Sequence, residues 1–199
     1  DGKTDAEYTL DKSLLTVPAE SYILYNIRVY NEGDVDVYAG EVKDYLQDYL
    51  TFVKGEFNDQ YGWNVSSNGK TVTTDYLSYS KNRDKILKAF NYDGTDDGHG
   101  SKLDYQDLPI LCRISADAPN KTKLVNSAEI TKYEDENGNE FEKDIDSESE
   151  NLPDDKKNKE GNPKGRYDED DEDYEVVEVI KKRVTSRSEE RRVGKECRS

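Results

Sequence analysis

The chain has 199 residues, of which 32% are hydrophobic and 37% charged, so part of its length has too little apolar surface to form a core. Asp and Glu outnumber Lys and Arg by 45 to 29, for a net charge of -16, and a surface this acidic repels nucleic acid. No stretch has the length and apolar character needed to insert into a membrane.

The first predicted element is a half-buried strand at residues 22–30, where apolar and polar side chains alternate. Turn-forming residues at 31–34 separate it from a second extended segment at 35–46, and a third strand is predicted at 50–53. The inward face of the first strand is predicted to consist of Ile23, Tyr25, Ile27 and Val29.

A β-hairpin is predicted around Asn68 and Gly69, because Asn-Gly between alternating runs favours a type I′ turn with positive φ at both central residues. Trp63, just before this turn, is expected to fill the space between two sheets. Residues 84–90 carry apolar side chains at helical spacing, which predicts a single helical turn in a connection.

The next predicted strand covers residues 108–115, with Ile110, Cys112 and Ile114 on its buried face. Two further strands are predicted on either side of a second Asn-Gly turn at Asn137 and Gly138. About seven or eight short strands separated by turn residues indicate an all-β fold, an antiparallel β-sandwich over residues 1–146.

The composition changes after Asp146, where charge runs of both signs replace the alternating pattern. Residues 147–173 are therefore expected to be a disordered, acidic linker. Residues 174–186 regain strand character, and we interpret them as the start of a following module.

The last thirteen residues, RSEERRVGKECRS at 187–199, carry five basic side chains and one of two cysteines. A basic arm for an anionic partner is one interpretation. Reverse-translated, however, this stretch resembles a widely used short-read sequencing adapter, so we interpret it as an adapter-derived artefact. Because the chain starts at Asp1 and contains no Met, we also expect it to be a metagenomic fragment of a longer reading frame.

Several segments carry a family resemblance, namely YNIRVYNEGDVDVYAGEVKDYLQDYLTFV, YGW, GKTVTTDYL, VNSAEI and DENGNEFEKDIDSE. They resemble the immunoglobulin-like repeat domain of large cell-surface proteins from Clostridia and other Gram-positive bacteria, which is similar in turn to isopeptide-forming fimbrial domains. The resemblance covers about residues 6–146 and implies an immunoglobulin-like sandwich whose first strand is missing. Gln47 and Tyr49 stand where the family pattern has Pro and Gly.

The resemblance also implies a covalent cross-link. In the fimbrial domains, a buried Lys on the first strand bonds to an Asn near the end of the last strand, assisted by an Asp or Glu. Asp44 matches the carboxylate and Asn126 the amide, whereas the Lys partner would lie upstream of Asp1. Burial would keep the Lys neutral and nucleophilic and the carboxyl protonated. The alternative is that Asp44 caps a turn, Asn126 satisfies backbone groups and no bond forms.

A weaker pattern suggests calcium. Asp93, Thr95, Asp97 and Asp104 fall at positions 1, 3, 5 and 12 of a calcium-binding loop. Thr is a poor ligand at the third position, the twelfth is not Glu, and a strand instead of a helix follows. A flexible, Gly-rich insertion is the competing interpretation. His99, the only histidine, lies in the same loop, which leaves no imidazole for catalysis elsewhere.

These observations favour a non-catalytic structural or adhesive module of a bacterial cell-surface stalk, located outside the cell and needing no cofactor. Its expected partners are neighbouring repeat domains of the same chain, together with an unidentified host or cell-wall ligand. The alternatives are a calcium- or carbohydrate-binding module and a pilin-like domain stabilised by the Lys-Asn isopeptide. The residues offer no nucleophile-His-acid set, so we do not expect an enzyme.

Overall fold

The computed structural model describes residues 14–31, 33, 35–90, 104–140 and 172–181. Within these ranges the chain forms nine strands and almost no helix, which confirms the predicted all-β class. A short helix, α1 (Glu56–Asp59), and a 3-10 turn (Arg83–Lys85) lie between strands. The strands are β1 (Leu15–Pro18), β2 (Tyr22–Asn31), β3 (Tyr38–Tyr45), β4 (Leu50–Phe52), β5 (Asn64–Val65), β6 (Thr71–Thr74), β7 (Asp104–Ile114), β8 (Lys123–Glu134) and β9 (Glu172–Ile180).

The strands form a two-sheet sandwich. The larger sheet has the order β1-β9-β8-β3-β6-β5, and the smaller has the order β2-β7-β4. All pairings are antiparallel except that of β1 with β9, which is parallel. Buried side chains of both sheets form one hydrophobic core, so the described strands pack as a single unit.

The faces of β2 and β7 follow the predicted alternation. Ile110, Cys112 and Ile114 on β7 are fully buried, and Tyr25, Val29 and Trp63 lie in the same core. Ile23 and Ile27 on β2 are only half-buried. The difference arises because β7 has a neighbour on each side, whereas β2 is an edge of the smaller sheet.

The last strand differs from its interpretation as the start of a following module. In the structure, β9 pairs with β8 over seven residue pairs, from Lys123 with Glu178 to Glu129 with Glu172. Val177 and Val179 belong to the shared core, which explains why this apolar run packs here instead of opening a separate unit. The proposed linker, the end of the first domain at residue 146 and the adapter-like tail lie outside the described residues.

The Asn68-Gly69 hairpin forms between β5 and β6, but its turn differs from the predicted type I′. Gly69 has φ 70°, whereas Asn68 is not among the residues with positive φ. The Asn68 side chain accounts for this, because its Oδ1 accepts hydrogen bonds from Ser66 Oγ at 2.7 Å and Lys70 N at 2.9 Å. A side-chain acceptor thus stabilises the turn without a left-handed Asn.

Two other connections also depart from the predictions. The helical turn expected at 84–90 is only the 3-10 turn at Arg83–Lys85, and Leu87 then forms an extended bridge with Val37. The second Asn-Gly turn is present, with Gly138 at φ 82° and a bridge between Glu134 and Glu140, but the strand expected beyond it lies outside the described residues.

The turn between β3 and β4 contains Gln47 and Tyr49, the two residues that depart from the family pattern. Leu50 N donates to Gln47 O at 3.1 Å, and Tyr49 adopts φ 72° where the pattern has Gly. Tyr49 O in turn accepts a hydrogen bond from Ser115 N at 2.8 Å, which ties the turn to the end of β7. Tyr49 therefore occupies a left-handed conformation that is costly for a residue with a Cβ.

Side chains complete the smaller sheet where β4 ends. Fully buried Asn58 donates through Nδ2 to Val53 O (2.7 Å) and Leu111 O (2.9 Å), and its Oδ1 accepts from Leu111 N (2.9 Å). Trp63 Nε1 donates to Pro109 O at 3.0 Å. Beyond the end of β4, these two side chains take the place of a neighbouring strand as hydrogen-bond partners of β7, so the backbone groups of β7 stay paired. Among the described residues, no helix is long and apolar enough to cross a membrane.

Candidate functional site

Asp44 and Asn126 meet in the core although 82 residues separate them in sequence. Asp44 lies on β3 and Asn126 on β8, two adjacent strands at the centre of the larger sheet. The inward alternation of β3 buries Val42 and Asp44 together, and Asn126 shares its face of β8 with buried Leu124. Exposure is 0% for Asp44 and 4% for Asn126, so both polar groups are removed from water.

The two side chains are joined by one short hydrogen bond. Asn126 Nδ2 donates to Asp44 Oδ2 at 2.5 Å. The other oxygens, Asp44 Oδ1 and Asn126 Oδ1, have no hydrogen-bond partner among the described residues, and neither does the buried hydroxyl of Tyr25. We refer to Tyr25, Asp44 and Asn126 as the core polar cluster. Three unpaired buried oxygens in one core are unusual, because each costs free energy comparable to a lost hydrogen bond.

Burial controls the protonation of this cluster. It raises the pKa of Asp44 from an ordinary value of 3.8 to about 7, and the hydrogen bond from Asn126 offsets only part of that effect. Burial likewise raises the pKa of Tyr25, with smaller contributions from Cys112, Asp44 and Glu175. The Cys112 thiol has a raised pKa for the same reason, with Asp44 as a second cause. Near neutral pH, the carboxyl can therefore hold or release a proton, while Tyr25 and Cys112 stay neutral.

This arrangement provides an acid and an amide for acyl transfer. The Asp44 carboxyl lies against the Asn126 nitrogen, which is the atom that would leave if an amine attacked the amide carbon. The resemblance implies that the attacking amine belongs to a Lys upstream of Asp1, outside the described residues. Asp44 lies within β3 and not in a turn, so its position does not fit the alternative in which it caps a turn.

The predicted calcium loop lies almost entirely outside the described residues, which include Asp104 but not Asp93, Thr95, Asp97 or His99. Asp104 begins β7, and its carboxylate accepts hydrogen bonds from Lys88 N at 2.7 Å and Tyr105 N at 3.0 Å. Elsewhere in the described part of the chain, no three metal-ligating side chains come together. Calcium binding by this loop stays a prediction.

Tyr25 and Asn58 are polar components of the core that sequence reasoning does not identify as such. The alternation of β2 places Tyr25 in the core as an apolar residue, although a Tyr on an otherwise aliphatic face could have suggested a buried hydroxyl. Asn58 lies in a polar segment whose composition resembles any surface connection. Its role depends on where β4 ends relative to β7, which the local sequence does not specify.

Comparisons with known proteins give similarity only at the level of structure. The sequence matches no family model, and it matches no curated protein significantly. The major pilin subunit BcpA of Bacillus cereus is 15% identical with a TM-score of 0.38, covering 83% of this chain and 37% of the pilin. The chain thus corresponds to little more than a third of that pilin's length.

Two other solved structures are similar to a comparable degree. A type I cohesin-dockerin complex from Clostridium thermocellum is 11% identical, with a TM-score of 0.36 and coverage of 84% of this chain and 94% of that one. The collagen-binding domain of a Staphylococcus aureus adhesin is 11% identical, with a TM-score of 0.31 and coverage of 80% and 89%. At these identities and scores, the similarity does not assign the chain to a family.

Proposed function

We propose that this chain is a non-catalytic structural or adhesive module of a bacterial cell-surface stalk, strengthened by an internal amide cross-link. The observation that carries the proposal is the buried Asp44-Asn126 pair, with its 2.5 Å hydrogen bond and its two oxygens that find no partner among the described residues. The family resemblance implies such a cross-link at these two residues, and their contact in the core supports it. The expected location is the outside of the cell.

The cross-link needs a Lys from a strand preceding Asp1. Its neutral Nζ attacks Cγ of Asn126, an Nζ–Cγ amide bond forms, the Cγ–Nδ2 bond breaks and Nδ2 leaves as ammonia. Asp44, with a pKa of about 7, can take up the proton that the amine loses and supply it to the leaving nitrogen, so it is unchanged at the end. The fold holds the reacting groups together, which makes the step effectively unimolecular.

Intact mass spectrometry of a longer chain that includes the preceding strand tests the cross-link. We expect a mass lower by one ammonia than the sequence requires, and a Lys-Asn126 cross-linked peptide after digestion. Asp44→Ala and Asn126→Ala should both restore the full mass. Glu129→Gln is the matched control, because Glu129 is a buried carboxylate on the opposite face of β8 and its variant should still lose ammonia. An unchanged mass in the unsubstituted chain would contradict the cross-link.

The stalk assignment has a separate test in the complete reading frame. We expect a signal peptide, tandem copies of this domain and a wall-sorting motif. A single copy fused to a catalytic domain, with no export signal, would contradict the assignment.

Calorimetric titration with calcium tests the alternative metal-binding function at Asp93, Thr95, Asp97 and Asp104. Heat and a raised melting temperature that both disappear in Asp97→Ala would favour it.

A further inference from the structure

The long edge of the smaller sheet stands out from the other edges in the described part of the chain. Three of the four edge strands are short: β1 has four residues and contains Pro18, β4 has three and β5 has two. The fourth, β2, has ten residues with neither Pro nor Lys, and its one charge belongs to Arg28. Natural sheets usually protect an edge strand by charged side chains, by Pro or by making the strand short, because an open edge strand can pair with a strand of another chain.

The backbone groups on this open edge can be assigned. Ile114 N donates to Ser21 O at 2.9 Å, so Ser21 and Ile114 are a hydrogen-bonded pair. With the antiparallel register, the odd-numbered residues of β2 direct their backbone groups to β7. The N–H and C=O groups of Leu24, Asn26 and Arg28 therefore point away from β7, and no other described strand lies beside them.

The side chains along the edge are also incompletely covered. Ile23 and Ile27 face the core but remain half-buried at its flank. On the outer face, Tyr22 is 62% and Leu24 55% exposed. A strand placed beside β2 would cover both sets, and burying apolar surface of this kind favours association.

We propose that this edge pairs with β2 of a second copy of the chain, antiparallel, with Asn26 opposite the partner's Asn26. This register joins outward-pointing groups to outward-pointing groups and overlaps residues 22–30 completely. On the core side, Ile23 faces the partner's Val29, and Tyr25 faces the partner's Ile27. The two smaller sheets then become one continuous six-stranded sheet with a twofold axis.

Charge is compatible with pairing between identical copies. Arg28 would face the partner's Leu24, so no like charges stand opposite one another. Its guanidinium is also bound to Asp107 of its own chain at 2.7 Å, which leaves the strand locally neutral. The net charge of -16 on each chain opposes association at long range, so the dimer should be stronger at high ionic strength.

Sedimentation equilibrium of the full chain tests the proposal over a range of concentrations and salt. We expect a monomer-dimer equilibrium, and Asn26→Lys should raise its dissociation constant up to about fivefold because the two new charges stand directly opposite each other. Thr51→Lys is the matched control, since it adds the same charge to the exposed face of β4 on the far edge of the same sheet. Asn26→Pro removes an N–H that points away from β7, so the fold should persist while the dimer is lost.

Cross-linking provides an independent measurement of the register. In a Cys197→Ser background, Asn26→Cys should form a disulfide-linked dimer on oxidation, because facing Cα atoms of such a pair lie about 5.5 Å apart. Leu24→Cys should not, since it faces the partner's Arg28. If the chain is monomeric at every concentration and salt tested, the proposal is wrong. The edge would then be a candidate site for a strand of another protein. Equal dissociation constants for Asn26→Lys and Thr51→Lys would overturn it as well.

Discussion

Asp44→Asn should remove a destabilisation that increases with pH. The unfolded carboxyl ionises near pH 3.8, whereas the folded one ionises at about 7. Between these values the folded state binds more protons than the unfolded state, so the free energy of unfolding falls as pH rises and becomes level above about 7. The amide introduced by this substitution binds no proton in this range, and its oxygen can still accept the hydrogen bond from Asn126.

The size of the effect follows from the shift in pKa. About three pKa units at about 1.4 kcal/mol each give an upper value of about 4 kcal/mol at pH 8. Since Asp44 is fully buried, solvent screening reduces this free-energy difference only slightly. The difference between the variant and the parent should shrink to about 1 kcal/mol at pH 4.5, and it should vanish only below about pH 3.8, where the carboxyl is protonated in both the folded and the unfolded state.

Urea unfolding followed by the fluorescence of Trp63, the single tryptophan, measures this difference from pH 4.5 to 8.5. The control is Asp135→Asn, because hydrogen bonds from Asn139 lower the pKa of the exposed Asp135 carboxyl. Asp135 therefore contributes stability that is present at neutral pH and lost on acidification, the opposite sign from Asp44. A stability difference between Asp44→Asn and the parent that stays constant across the range would refute the burial of a titrating carboxyl in this core.

Three further substitutions test the packing by the same urea assay. Asn58→Ala should cost about 3 kcal/mol, because it removes three hydrogen bonds and leaves Val53 O and Leu111 N unpaired, while Leu111 O keeps its bond from Val53 N. A loss below about 1 kcal/mol would contradict that role. Tyr49→Gly should stabilise by up to about 1 kcal/mol through relief of the left-handed conformation at φ 72°, and a destabilised variant would count against it. Gly138→Ala should cost about 2 kcal/mol, because a Cβ would lie 2.5 Å from the Tyr79 ring, and more than Gly69→Ala, whose Cβ meets nothing within 4 Å.

The core polar cluster is costly for a sandwich of this size. Each unpaired buried oxygen destabilises by about 1–3 kcal/mol, and here Tyr25, Asp44 and Asn126 each contribute one within the described part of the chain. Apolar side chains of similar volume would pack with no such cost. Violations of local stability rules of this kind are expected at functional sites, which favours a reactive role for the pair over a purely structural one.

Strand faces are predictable because side chains alternate with a period of two, which is a property of the local chain. The alternation in residues 22–30 and 108–115 correctly separates inward from outward positions. It does not indicate that Ile23 and Ile27 are only half-buried, since that depends on β2 lying at a sheet edge. Local pattern also fails at Asn68, whose side chain, instead of a left-handed backbone, stabilises its turn.

Only part of the candidate site can be predicted from the sequence. Asp44 and Asn126 are identified by family resemblance, because neither composition nor spacing connects two residues 82 positions apart. Tyr25 belongs with them only because the two sheets pack face to face around one core.

The all-β class, the inward faces of the main strands and the positions of most turns follow from the sequence alone, since they depend on short-range periodicity and turn chemistry. Which strands are neighbours depends on the tertiary fold. Among the described residues, that fold sets β9 beside β8, leaves β2 without a second neighbouring strand and buries the Asp44 carboxyl against the Asn126 amide. Such pairings arise from the burial of apolar surface between segments far apart in the chain, which no local pattern encodes.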